Sequence, residues 1–371
     1  VPQAIVIGGG LAGAALGAQL ARAGRDVMVL ERESIGGHKV CGEFLSYESH
    51  LYLGKVGLDL ERLGAVRIDR VRLFSGRSTA QTELPFPAFS LSRKVLDDAL
   101  LDRAAALGAR VRRGVRVTGL AGSHQDWRIT TDAGEEISTR DLFLAVGKHD
   151  LRDWKRPPGL QPDLIGFKLH LRLTAPQTAA LSGGVELHLF PGGYAGLELV
   201  EDGIANLCLL VRRSAFARLG RSFDALLAYL RETCATLGER LADATSCFAR
   251  PLAISAIPYG HVQRRSDGVW RLGDQAAVIP SFAGDGMSIA LHSAHLAADL
   301  HLAGKPAQCF QTRLANDVGA QVLRATLISK MLVEPWAQPS IAAAARLQPG
   351  LLSTLAGATR ISKAAMAREL A

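Results

Sequence analysis

Apolar and polar positions change their period several times along the chain, and each change marks an element. AIVIG (4–8) is a short apolar run; a glycine turn, an alanine-rich helix over about 12–23 and a second apolar run over 26–30 follow, which together form a βαβ unit. Over 65–90 apolar and polar residues alternate and Pro85 and Pro87 interrupt them, predicting strands and loops. LSRKVLDDALLDRAAALG has apolar residues three and four apart and stops at Gly108, predicting a helix over 92–107. Two strand-like runs, RVRRGVRVTGL and DWRITTDAG, lead to the buried strand of DLFLAVG. From 153 to 265 strands dominate, with one helix over 222–237, and beyond 306 the chain is alanine- and leucine-rich helix broken by prolines.

These patterns predict an α/β fold: a Rossmann-type nucleotide-binding domain with an inserted mixed β-sheet and C-terminal helices. The nucleotide-binding domain is expected to be discontinuous, over 1–70, 91–152 and 266–310. The substrate domain takes 71–90 and 153–265, and a helical segment occupies 311–371.

Candidate chemistry begins at the first turn. Gly8, Gly10 and Gly13 satisfy GxGxxG between a strand and a helix, which lets backbone amides approach a pyrophosphate; Leu11 and Ala12 lie inside the motif. The second strand ends in VLERE, and Glu31 stands eighteen positions after Gly13, close to the ~20 expected of an acid that bonds a ribose. Arg32 is beside it.

A second motif separates NAD from FAD. In WRLGDQAAVIPSFAGDGMSIAL, Gly273-Asp274 follows a strand and Gly284-x-Gly286 opens a helix. This stretch resembles the FAD-dependent oxidoreductases of the p-hydroxybenzoate hydroxylase and geranylgeranyl reductase type, whose signature is GDAAHxxxPxxGxG. The resemblance implies a glutathione-reductase-like FAD domain in which Asp274 binds ribityl hydroxyls. Amides from Gly284 to Met287 would then stabilise negative charge on the reduced flavin. It also implies that Arg93, in LSRKVLDDAL, reaches the phosphates or ribityl chain, and that Ala145, Gly147 and Val117 contribute to the cofactor site. Gln275 and Ala277 depart from the signature, and Val146, Lys148 and His149 stand where the monooxygenases carry an aspartate. Asp285, inside the glycine turn, is expected to face solvent.

GGHKVCGEFLS (36–46) resembles the cysteine loop of the geranylgeranyl reductase branch, which implies that Cys41 and Gly42 lie near the flavin ring. No second cysteine is close enough for a CxxC relay, so a part in gating or polarity is expected rather than a covalent thiol. Tyr194, in FPGGYAGLELV, fits the first position of that branch's Tyr/Trp-x-Trp-x-Phe-Pro pattern and is the second catalytic candidate, with strand packing as its alternative. The Trp-x-Trp-x-Ile-Pro run of flavin halogenases is absent.

Composition trims the remaining options. The 43 Lys and Arg against 35 Asp and Glu give a charge of +8, but the cations are scattered, which speaks against nucleic acid. The five cysteines have no zinc or redox spacing, and His149, His170 and His188 have no metal-ligand spacing, so no metal is expected. No apolar run is long enough to span a bilayer and no leader is evident, which predicts a cytoplasmic protein, at most peripheral to a membrane.

The expected activity is FAD-dependent oxidation, foremost a monooxygenase. It would hydroxylate or epoxidise a hydrophobic or aromatic, polyketide- or lipid-like molecule through a flavin C4a-hydroperoxide, with NAD(P)H or a separate reductase as electron donor. One alternative is a C=C reductase or dehydrogenase resembling geranylgeranyl reductase; another is a non-catalytic lipid escort on the same scaffold. The basic, apolar C-terminal segment would cap the domains or meet a membrane or carrier that presents the substrate.

Overall fold

The computed structural model describes residues 2–123 and 125–370, with backbone alone for 367–370; residues 1 and 371, included in the expected domain limits, lie outside it. Five parallel strands form one sheet in the order Trp270–Arg271, Asp141–Leu144, Ala4–Ile7, Val27–Glu31, Arg110–Arg113. Both faces are covered, so the central strands read as unbroken apolar runs, with Ala4–Ile7 buried throughout. The helices Leu11–Arg22, Arg93–Ala106 and Gly286–Leu302 pack on one side, and the first is rich in alanine and glycine because it must come close to its neighbours. On the other side, Val117–Ser123, Asp126–Thr131 and Glu136–Thr139 form a three-stranded antiparallel sheet whose Trp127 and Ile129 pack on Ile5 and Leu30.

A nine-stranded mixed sheet makes up most of the rest. Its strands Leu164–Arg172, Ala205–Arg212 and Gly193–Leu199 alternate strictly. Phe167, Leu169, Leu207, Leu209, Ala195 and Leu197 point to one side and pack on the helix Phe223–Thr233. The residues between them, among them Lys168, His170, Asn206 and Glu198, therefore share the opposite face, and the ladder sets Glu198 and His170 on either side of Asn206.

Two expectations about elements need correction. Pro85 and Pro87 lie within one strand, Ser78–Ser90, in a stretch where the pairing with Val66–Ser75 jumps from Glu83 to Ala88. The irregularity accommodates residues that cannot donate to a ladder. The helix expected over 222–237 is two helices, Phe223–Thr233 and Ala235–Arg240, because Cys234 leaves helical geometry at ψ 82°. Strands Phe44–Leu45 and Val66–Ser75 also join the large sheet, which thus draws on chain ahead of residue 71.

Candidate active site

The first glycine turn is tight because nothing but hydrogen fits inside it. Gly8 has φ +104°, and a Cβ there would stand 2.4 Å from the Ala145 carbonyl oxygen; one on Gly13 would stand 1.8 Å from that of Gly8. This brings the N-terminus of helix Leu11–Arg22 onto the end of the first strand, leaving amides there for an anion. Glu31, at the end of the neighbouring strand, accepts from the Gly9 N–H (2.7 Å) and the Glu33 N–H (3.0 Å), and is thereby fixed beside the turn. Arg32 is paired with Glu33 at the surface.

Two cations stand at the same turn. The Lys39 Nζ and an Arg93 guanidinium nitrogen lie 3.5 and 3.6 Å from where a Cβ on Gly10 would be. Asp97, one turn after Arg93, holds both: it accepts from Arg93 at 2.8 and 3.0 Å and from Lys39 at 2.5 Å. Burial alone would raise the Asp97 carboxyl, but the Arg93 and Lys39 charges outweigh it and keep it ionised.

The other two expected cofactor turns are tied together. Gln275 donates to the carbonyls of Gly147 and His149 (2.8 Å each), and Arg156 bridges the Asp274 and Lys148 carbonyls and the Asp150 carboxylate. Gly273 has φ +55°, and a Cβ there would stand 3.3 Å from the Ala12 methyl and 3.5 Å from that of Ala290; Ala145 is buried beneath the first turn. Val117 packs in the cluster under the three-stranded sheet.

The loop 36–46 reaches across to the polar face of the large sheet and is pinned there by Glu43. This fully buried residue holds φ +59°, in the left-handed region that disfavours side chains, and its carboxylate is surrounded. It forms an ion pair with Lys168, bonds His170 Nε2 at 2.7 Å and accepts the Arg93 N–H at 2.7 Å. Burial would raise Glu43, but His170 and Lys168 more than compensate and hold it low. His38 packs edge-on to His170 and is lowered to about 4 by burial, then by His170 and Lys168, so it is neutral.

His38, Glu43 and His170 place ligand atoms within 4.8 Å of one another, a grouping that sequence spacing conceals. The Lys168 ammonium already neutralises its carboxylate. Cys41 lies at the loop's crest, half-buried, with the Glu43 N–H donating to its sulfur at 3.4 Å and the Lys148 ammonium donating to the neighbouring Val40 carbonyl at 2.7 Å.

Beside the loop, Asn206 donates to Glu198 Oε1 (2.6 Å) and to the Cys41 carbonyl (3.3 Å), joining sheet to loop. Glu198 is pushed up to about 8 by its burial and is therefore largely protonated at neutral pH. Farther along the same face the lining becomes apolar. Tyr194 and Leu210 pack with Tyr259 and Val278, and the Tyr194 hydroxyl accepts the Phe282 N–H at 3.3 Å.

Gly284 has φ +65° and lies against Phe44, while a Cβ on Gly286 would meet nothing nearer than Ile279 at 3.9 Å, so the start of the helix Gly286–Leu302 is open. Met287 is buried in its first turn. Asp285 does not face solvent: it is fully buried, accepting from Gln321 at 2.6 Å and facing Arg360 at 3.3 Å. The helix Ala307–Leu332 and the bend that follows Gly350–Ala358 supply those partners and cover it, and burial pushes it up to about 7.

A family model described as an NAD(P)-binding Rossmann-like domain matches residues 6–49. The chain is similar to menaquinone reductase of Mycobacterium tuberculosis, 25% identical across 89% of this chain and 84% of that protein. It is also similar to digeranylgeranylglycerophospholipid reductase 2 of Methanopyrus kandleri, 27% identical across 80% of this chain and 76% of that protein. The halogenase PltM superposes with a TM-score of 0.77 at 15% identity, over 96% of this chain and 82% of that one, a likeness of fold alone. The chain therefore carries a Rossmann-like nucleotide-binding segment and is similar over most of its length to these reductases.

The residues present fit FAD, the cofactor that the sequence motifs imply. The glycine cradle excludes side chains where a pyrophosphate needs backbone, Glu31 is fixed beside the turn at the sequence spacing expected of a ribose-binding acid, and two cations flank the turn. The helix start at Gly286 is open. The alternative of a non-catalytic lipid escort finds no support among these reductases. Sequence reasoning missed Glu43, Lys168, Glu198 and Asn206. A signal did exist in IGFKLHLRL and GLELV, where charged residues sit at alternate places in apolar strands and so share one face.

Proposed function

We propose that this oxidoreductase reduces a carbon–carbon double bond in an isoprenoid or similarly lipid-like substrate lying between the Cys41 loop and the polar face of the large sheet. FAD, when bound, supplies the two-electron exchange, its electrons coming from NAD(P)H or a separate reductase. Glu198 carries the reading. Saturating a double bond by hydride transfer requires a proton for the second carbon, and Glu198 is a buried carboxyl that still holds one near neutral pH. Asn206 orients it against the Cys41 carbonyl, and the Glu43–Lys168–His170 cluster fixes the loop that closes over it. The apolar stretch from Tyr194 to Leu210 accommodates the hydrocarbon. In this scheme Cys41 sets polarity at the reacting face, and Tyr194 acts through packing and its bond to the Phe282 amide.

Reductases similar over most of the chain support this reading over the monooxygenase expectation. The test is anaerobic turnover of the reduced holoprotein with a menaquinone or a geranylgeranyl lipid, followed by mass spectrometry. A product heavier by two hydrogens is expected, the gain persisting in the isoprenoid chain after any quinol is reoxidised to the quinone. A product formed only with oxygen, and carrying label from labelled oxygen gas, would establish monooxygenation instead.

A further inference from the structure

The helices that close the apolar end of the site carry an outer surface unlike the rest of the molecule. On the helix Ala307–Leu332, Leu323, Leu327 and Met331 are exposed at four-residue spacing and so form a stripe. Trp336, in the turn that follows, is 70% exposed. Leu347 is 81% exposed at the end of the helix Gln338–Leu347, and Leu351 and Leu355 continue along Gly350–Ala358. Arg324 donates to the Ala358 carbonyl at 3.1 Å, joining the first helix to the last of these. Exposed leucines and a tryptophan concentrated in this way cost solubility unless something covers them.

The charges around them name the occupant. From 318 to 366 Glu334 is the one acidic residue, and it is partly buried and bound by Arg212 at 2.5 Å. The exposed charges on this segment, Arg324, Lys330, Arg346 and Lys363, are all basic. A second copy docking through the same face would oppose these cations to one another. An anionic bilayer offers both acyl chains and counter-charge.

The inner sides of the same helices contribute Leu332, Val333, Ala345 and Leu352 to the cluster that contains Tyr194 and Leu210. The surface therefore backs directly onto the apolar end of the site. Among the described residues no helix is long and apolar enough to cross a membrane, so contact is from the side.

We propose that this face rests on an anionic lipid surface, with Trp336, Leu347 and Leu351 entering the acyl boundary and Lys330 and Arg346 meeting lipid phosphates. The proposal concerns attachment, and its test is independent of turnover. The holoprotein is floated with vesicles of phosphatidylglycerol and phosphatidylcholine, and tryptophan emission is followed. Trp127 and Trp270 are buried and Trp336 is the most exposed of the four tryptophans, so it dominates any shift. Expected results are flotation with the anionic vesicles, a blue shift on binding, and loss of about tenfold or more in affinity for both Trp336→Ser/Leu347→Ser and Lys330→Glu/Arg346→Glu. FAD content and melting temperature, unchanged in these surface variants, report their folding. Absence of flotation, or variants that bind as the parent does, would overturn the proposal. So would a dimer dispersed by Trp336→Ser/Leu347→Ser in sedimentation, which would assign the face to a second copy.

Discussion

The glycine turn and the polar face of the large sheet are built by opposite means. At the turn, side chains are removed: Gly8 and Gly13 leave no room for a Cβ, so backbone amides do the work and specificity comes from close approach. At the sheet, ionisable side chains are buried: Glu43 and Lys168 offset each other's charge, and Glu198 keeps its proton and is bonded by Asn206. The first strategy fails when an atom is added, the second when a partner is taken away.

The largest effect is expected from Gly13→Val. Its Cβ alone would overlap the Gly8 carbonyl, so the helix must move off the strand at a cost above about 3 kcal/mol. Purified protein should be colourless and melt well below the parent; a yellow, stable variant would show that the turn is not built by close approach. Glu43→Gln comes next, because it strands the Lys168 ammonium in a buried setting at a cost of about 3 kcal/mol. Urea titration should show Glu43→Gln/Lys168→Met recovering much of that loss, as a pair rather than two independent sites requires.

The two regions also differ in how far the sequence exposes them. The turn is legible because glycine spacing, an acid at the end of the next strand and an alanine-rich helix are local signals, each with its own steric reason. Gly273 and Gly284, both at positive φ, were legible for the same reason. Glu43, Lys168 and Glu198 come from three separate segments, and their burial depends on strand register and on a loop that crosses between sheets. Asp285 was misjudged likewise: its neighbours in sequence suggest a solvated turn, while Gln321 and Arg360, far along the chain, bury it.

Glu198→Gln is expected to have a smaller effect on folding but a distinct pH signature. In the folded protein the carboxyl titrates near about 8, against a usual value of 4.5, so the native state keeps a proton that the unfolded chain has lost. Stability contributed by this group therefore falls as pH rises from about 4.5 to about 8. Glutamine removes that slope, and the variant should gain on the order of 2 kcal/mol or more over the parent at the alkaline end. Melting temperatures across the pH range check the sign. If Glu198 is the proton donor, turnover should also fall by about a hundredfold or more, with FAD content unchanged.

Cys41→Ser should change least. The residue is half-buried, its sulfur accepts a long bond from the Glu43 amide and faces the Arg93 guanidinium, and serine retains an acceptor for both, so the folding change should stay within about 0.5 kcal/mol. The loop is held by Glu43 and by the Lys148 bond to Val40, neither of which involves the thiol, so bound flavin should remain. Loss of all flavin would mean that the loop does not lie where these contacts place it. Turnover then separates the possible uses of the sulfur: a drop of about tenfold fits a group that sets polarity, whereas loss beyond about a thousandfold would require the thiol in the reaction itself.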